Sequence, residues 1–287
     1  MSIDPAVICG TFRIPPSKSK THFMKKFALP AVRLMIPAFF LFIFGCNKLG
    51  SLPSQTLVAD LCAIKSLSFV NGGGIDTITF LYDALGRPVN SIRAFVGTGS
   101  PRYVFRYDSE GRLQDFIGAY GDTGDYGGEF WTRYAYSGDN RTVWDTTYIF
   151  PEGSIWPPAN YLDFRSTMAK YDDEGRVIQT TTYIPPVNFF DTTAVYGESF
   201  VYDAKGDVEG FTYDDKINLH RTNKVWQFID FQYSAHNPTK IDAYNALGLP
   251  VKINFTPGGG TVMLGLAFAN TVISYDCELP KGPAQGD

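Results

Sequence analysis

The 287-residue sequence holds only three histidines and four cysteines. No two of these stand at the spacing of a zinc site. The sequence also lacks a Gly-x-Ser-x-Gly elbow, a phosphate-binding loop and a dinucleotide fingerprint, so none of those enzyme classes has its signature here. No apolar run reaches the roughly 20 residues a helix needs to cross a bilayer. The most apolar stretch, residues 34–45, has twelve. Nowhere does a 3.6-residue hydrophobic period coincide with a cap, so no helix is expected. Basic residues are scarce as well. The first 46 residues contain six of the 25 Lys and Arg and one of the 29 Asp and Glu, which leaves the remainder with a net charge of −9. A chain this acidic, with its cations scattered, is a poor partner for nucleic acid.

What the sequence does contain is a repeat. Tyr107-Asp108-Ser109-Glu110-Gly111-Arg112 recurs as Tyr82-Asp83-Ala84-Leu85-Gly86-Arg87 and as Tyr171-Asp172-Asp173-Glu174-Gly175-Arg176. Looser copies start at Tyr136, Tyr202, Tyr233 and Tyr244. Four places after each Tyr stands Gly or Asn: Gly86, Gly111, Asn140, Gly175, Gly206, Asn237 and Gly248. These two residues enter the left-handed backbone region most cheaply. The spacing predicts a β-hairpin in which Tyr ends the incoming strand and Asp opens a type I turn. Gly then takes the left-handed position of a G1 bulge, and Arg starts the outgoing strand. Asp108 is expected opposite Arg112 and Tyr107 opposite Leu113; Asp172 and Tyr171 should meet Arg176 and Val177 in the same way. Repetition itself marks these charges as turn chemistry rather than as a binding site.

Between the turns lie β-branched and aromatic segments, at residues 62–70, 75–82, 89–96, 102–107, 113–120, 130–136, 142–150, 164–171, 177–184, 195–202, 208–213, 225–233, 240–244, 251–255, 261–266 and 271–275. The fold class they predict is all-β: an antiparallel up-and-down meander whose sheet curls or becomes barrel-like. The Tyr-led turns are tight, whereas the returns at 97–101, 121–129, 151–161, 185–196 and 214–224 are long and varied. An outer-membrane barrel shares that asymmetry, but these strands lack a sustained outward apolar band.

The first 46 residues read differently. Met24-Lys25-Lys26 opens a basic region, residues 34–45 suit a signal-peptide core, and Ile43-Phe44-Gly45-Cys46 resembles the lipobox of bacterial lipoproteins. That resemblance implies cleavage before Cys46 and lipid on it, although Phe44 is bulkier than the pattern prefers. The expected organisation is an upstream extension at 1–23 from a misassigned start, a signal peptide at 24–45, a lipidated tether at 46–60, the β domain at 61–278 and a disordered tail at 279–287. The anchor places the protein in the bacterial cell envelope, at the outer membrane. The Tyr-Asp-x-x-Gly-Arg hairpins are similar to the YD repeats of Rhs-type proteins, and in size and layout the chain resembles small bacterial lipoproteins with a few such repeats, a family without a known function. In that family one Cys after the tether and another near the C-terminus recur. With Cys9 removed and Cys46 lipidated, Cys62 and Cys277 are the two thiols left, and a disulfide between them is expected in an oxidising compartment. The alternative is two unrelated core thiols.

Candidate sites are few. Asp122 and Asp125 lack the ligand density of a calcium loop, and Asp214-Asp215 is half of a glycosidase carboxylate pair without a recognisable second half. No cofactor or metal is expected, and no catalytic residue is assigned. The long loops carry Tyr126, Trp131, Trp156, Tyr161, Phe189 and Phe190 among prolines. Such aromatics anchor a protein partner, stack on a sugar, or plug the end of a barrel. Two functions follow: a non-catalytic envelope lipoprotein presenting these loops to another protein, or a glycan-binding one using their rings.

Overall fold

The computed structural model describes residues 62–71, 74–121, 127–185, 194–238, 240–254, 263–264 and 269–277. Cys46 and the segment that resembles a lipobox, with the expected signal peptide, tether and tail, lie outside them.

The described chain is all-β, with thirteen strands in one antiparallel sheet. They are β1 (Cys62–Asn71), β2 (Gly74–Tyr82), β3 (Pro88–Arg93), β4 (Arg102–Tyr107), β5 (Leu113–Ala119), β6 (Gly128–Tyr136), β7 (Thr142–Ile149), β8 (Asp163–Tyr171), β9 (Val177–Ile184), β10 (Ala194–Ser199), β11 (Ala243–Tyr244), β12 (Pro250–Ile253) and β13 (Ala269–Cys277). Sequence neighbours pair from β1 through β10. The last three strands then add to the other side of β1, giving the order β10-β9-β8-β7-β6-β5-β4-β3-β2-β1-β13-β12-β11. The sheet is therefore not closed. Its edges are β10 and β11, while the first and last strands lie side by side in its interior. Cys62 is paired with Cys277 in the β1–β13 register and joined to it by a disulfide.

The hairpins follow their turn chemistry. Asp108 N–H donates to Arg112 C=O and Gly111 N–H donates to Asp108 C=O, and the same two bonds recur at Asp83, Asp172, Asp203 and Asn245. Gly86, Gly111, Gly175, Gly206 and Gly248 have φ between 72° and 86°, and Asn140 has φ 57°. Tyr107 lies opposite Leu113, and Tyr171 opposite Val177.

The Tyr233 copy breaks the pattern. Asn237 is not among the described residues with positive φ. It is buried, its Oδ1 accepts from Leu219 N–H, and its amide donates to Asp214 and to Ile217 C=O. Asn237 is thus a buried bracket between two chain segments, not a turn residue. The strand expected at 225–233 is also a misreading, since Lys224–Asp230 is an α-helix, α1, preceded by a 3₁₀ turn at Leu219–Thr222. Asn223 caps α1 by accepting from Val225 N–H, and Asn218 caps the 3₁₀ turn by accepting from His220 N–H. Residues 208–213 form only a bridge, Tyr202 with Val208, before the chain turns away. Of the segment expected at 261–266, residues 263–264 are described, and they form no strand.

The helical segment covers the core face of the sheet. Trp226 is fully buried against Phe80 and Phe105, and Phe228 packs against Tyr134, Tyr136 and Tyr171. With Leu67, Ile78 and Phe116 these residues form the main hydrophobic cluster. A curled sheet leaves apolar side chains on its inner face, and this helix rather than sheet closure removes them from water.

Candidate binding site

The two ends of the sheet offer different chemistry. At the tight-turn end, each hairpin grips the next. Arg87 lies 4.3 Å from the centre of the Tyr107 ring, Arg112 4.4 Å from that of Tyr136, and Arg176 4.3 Å from that of Tyr202. Each of those tyrosines donates its hydroxyl to the carbonyl following the arginine: Tyr107 to Pro88 at 2.7 Å, Tyr136 to Leu113 at 2.6 Å and Tyr202 to Val177 at 2.9 Å. Burial raises all three phenols well above their ordinary range, so they stay protonated donors. The guanidinium groups are held in turn by their own aspartates, as Arg176 Nε and Nη2 are by Asp172 Oδ2 at 2.9 and 2.8 Å. Desolvation pushes Asp83, Asp108 and Asp172 upward, but hydrogen bonds from turn N–H groups and the arginine outweigh it, and all three carboxyls sit below their usual range. Between this rim and α1 lies a cavity of about 1500 Å³. Lys205, Arg221 and Lys224 line it without an ion pair among the described residues, while Asp83 and Glu174 on its wall are already paired with Arg87 and Arg176. It has room for a ligand.

The long-loop end carries the aromatic residues. On the outer face, strand register places Trp131 beside Tyr148 and Tyr148 beside Phe164. The loop after β7 folds back over them. Trp156, joined to Pro157 by a cis peptide bond, sets its ring edge-on to both Trp131 and Tyr148 at 5.3 and 5.0 Å, and Tyr161 packs on Tyr148 at 4.6 Å. Asp115, buried beneath, accepts from Trp131 Nε1 at 2.9 Å and from Arg133 Nε and Nη2 at 2.7 and 3.0 Å. Arg133 in turn lies 4.6 Å from the Trp156 ring centre.

Of the six ring residues singled out from sequence, this cluster unites three. Trp131 is buried at its base, Trp156 is half-buried in the middle and Tyr161 stands at the surface. Tyr126, Phe189 and Phe190 lie outside the described residues, as do Asp122 and Asp125. Sequence reasoning missed Tyr148, Phe164, Arg133 and Asp115. The available signal was strand parity, since Trp131, Tyr148 and Phe164 fall on the same face of three successive strands. Beyond the rings, the loop exposes Ile155 and Leu162, 77% and 74% accessible.

Asp214, Asp215 and the two described histidines each have a partner. Asp214 accepts from Asn237 and from Tyr244, and Asp215 pairs with Lys216 on the surface. His220 lies between Asn218 and Asp230, and His236 is held by Asp207. Among the described residues no three His, Cys, Asp or Glu side chains group to hold a metal. Asp145, on the inner face, is the one described carboxyl displaced upward. Burial takes it to about 6, against the pull of Arg165 and Thr167.

Comparison with known proteins gives little. No family model and no curated protein matches the chain. One solved structure, the crystal structure of TcdB2-TccC3-Cdc42, is similar at 14% identity and a TM-score of 0.26 over 67% of this chain. The chain spans only a tenth of that structure's length. A score that low supports no argument about this chain.

Proposed function

We propose that this is a non-catalytic lipoprotein of the bacterial cell envelope, of the kind that carries a few YD repeats, and that it docks a protein partner through the loop at 150–162. Lipid on Cys46 would anchor it to the outer membrane, and the sheet would serve as a rigid frame. The observation that carries the docking reading is how the loop is built. Ile155, Tyr161 and Leu162 face solvent above an aromatic base that leaves the loop little freedom. Exposed aliphatic side chains on a preorganised support suit a protein interface, where ordering costs are low. A sugar needs an open ring face instead. Trp156 has Arg133 on its ring and two aromatic neighbours, so the glycan reading is the weaker one.

Site-specific photo-crosslinkers in cells test this. Positions Ile155 and Leu162 should capture the same envelope protein, position Leu85 at the opposite end should not, and Ile155→Asp should abolish capture from Leu162. Capture that ignores Ile155→Asp, or glycan-array binding lost in Tyr161→Ala, would overturn the docking reading. The anchor is checked separately. A clickable fatty acid should label the wild type and not Cys46→Ser.

A further inference from the structure

The two edges of the sheet are built differently. β11 has two residues, and its register with β12 shifts between Ala243 and Tyr244. An edge so short and irregular offers little to pair with. β10 has six residues, matches β9 without a register shift, and contains neither Pro nor Lys. Val195 and Tyr196 are exposed on it.

Hydrogen-bond parity identifies the backbone groups of β10 that do not face β9. Phe200 N–H donates to Ile178 C=O on the β9 side, whereas Val201 C=O accepts from Glu209 N–H on the other. Since backbone direction alternates along a strand, Tyr196 and Glu198 point their groups at β9, and Val195, Gly197 and Ser199 point theirs away from the sheet. Among the described residues no strand pairs with β10 on that side. The reason is visible in the chain. A strand over 208–213 would have run back along β10, but the hairpin stops after the Tyr202–Val208 bridge, and Gly210 turns the backbone aside with φ 91°.

We propose that β10 is a homodimerisation edge, pairing antiparallel with β10 of a second copy about a twofold axis at Gly197. In that register Val195 meets Ser199 of the second copy, Gly197 meets Gly197, and Ser199 meets Val195. Every outward-facing residue therefore meets an outward-facing residue, and the N–H and C=O groups of all three are satisfied at once. Tyr196 falls opposite Glu198 of the second copy, so the two carboxylates never face each other. A twofold axis at Glu198 would bring them together, and like charges in direct opposition disfavour pairing. The paired window is also bounded, because Glu209 already occupies Val201 next to one end and the twofold axis repeats that limit at the other. The edge is thus its own complement in length, parity and charge, which favours a second copy over a foreign strand.

Gly197 supplies the test. Its φ is not positive, and an added Cβ would meet only Thr180 C=O at 3.6 Å, an ordinary contact. A cysteine there is tolerated by the monomer and lies within disulfide reach of its symmetry mate, since opposed Cα atoms in a hydrogen-bonded pair are about 5.5 Å apart. The full chain carrying Gly197→Cys, expressed in cells, should give a disulfide-linked species of twice the chain's mass on a non-reducing gel, and Leu85→Cys and the wild type should not. In sedimentation of the purified full chain, the wild type should be dimeric and Gly197→Pro, which removes the central outward N–H, monomeric. A wild type that stays monomeric, a Gly197→Cys protein that crosslinks no better than Leu85→Cys, or a dimer that survives Gly197→Pro would each overturn the proposal. The crosslinking result decides it alone if the proline variant does not fold.

Discussion

Replacing Asp172 isolates what one repeat turn contributes. Its Oδ1 accepts from the N–H groups of Glu174 and Arg176 at 3.0 and 2.8 Å, and its Oδ2 takes Nε and Nη2 of Arg176. Asp172→Ala removes both backbone bonds, each worth about 1 kcal/mol net. It also removes an ion pair whose partners are 21% and 27% exposed, which solvent screening holds to about 0–1 kcal/mol. The expected loss is about 2–3 kcal/mol, or about 5–10 °C in the melting midpoint for a domain of this size. Asp172→Asn keeps an acceptor at Oδ1 but sets an N–H donor where Oδ2 accepted from Arg176, so it loses the screened ion pair alone and should cost about 1 kcal/mol. Acid titration gives a second readout. The folded-state pKa of Asp172 is depressed, so its stabilisation is full above the unfolded value of about 3.9 and disappears as pH falls through the lower folded value. The gap between the wild type and Asp172→Ala should therefore narrow at low pH towards the gap between Asp172→Asn and Asp172→Ala. Equal losses for the Ala and Asn variants, or a wild-type advantage over Asp172→Ala that does not shrink at low pH, would refute the account of the turn.

Asp145 has the opposite sign. Its folded pKa of about 6 lies above the unfolded value, so the group favours folding below about pH 4 and loses that contribution as pH rises to 6. Asp145→Asn should raise the melting midpoint at pH 8 relative to the wild type and change it little at pH 4. Gly175 holds φ 75° in open space, so Gly175→Val should cost about 1 kcal/mol or more through backbone strain alone. Gly175→Asn should cost less, because Asn140 already occupies the equivalent position. Chemical denaturation of the three proteins compares them. Cys62→Ser with Cys277→Ser opens a loop of 215 residues, for which chain entropy sets an upper limit of about 5 kcal/mol. A denaturation midpoint unchanged by the double substitution would mean that the β1–β13 pairing holds without the bond.

The meander was legible because its signal is local. Tyr, Asp and Gly at fixed offsets specify a turn whatever lies around it, and β-branched runs between turns specify strands. The failures came where the signal is long-range. Residues 225–233 carry Val225, Trp226, Phe228 and Ile229, a spacing that suits a short helix as well as a strand. Only the caps at Asn218 and Asn223 distinguished the two. Asn237 stands four places after a Tyr like the others, yet its amide is recruited by Asp214 and Ile217 across the chain, which no spacing encodes. The addition of β13 to β1 depends on contacts two hundred residues apart, and it was legible only through the expected Cys62–Cys277 bond. The aromatic cluster was half legible: ring residues in the loops could be named, but their supports on β5, β6, β7 and β8 emerge only once the register is known.

The Cys62–Cys277 bond also decides how the domain responds to force. It joins the first described residue to the last, across the β1–β13 seam. Tension applied between the flanking segments enters at Cys62 and leaves at Cys277, passing through one covalent bond and bypassing every hydrogen-bonded strand between them. Mechanically the chain between the two cysteines is a covalently closed loop suspended from a single point. Stretching the chain from its two flanks should therefore extend only those flanks until the disulfide is reduced. After reduction the same pull would fall on the β1–β13 seam first.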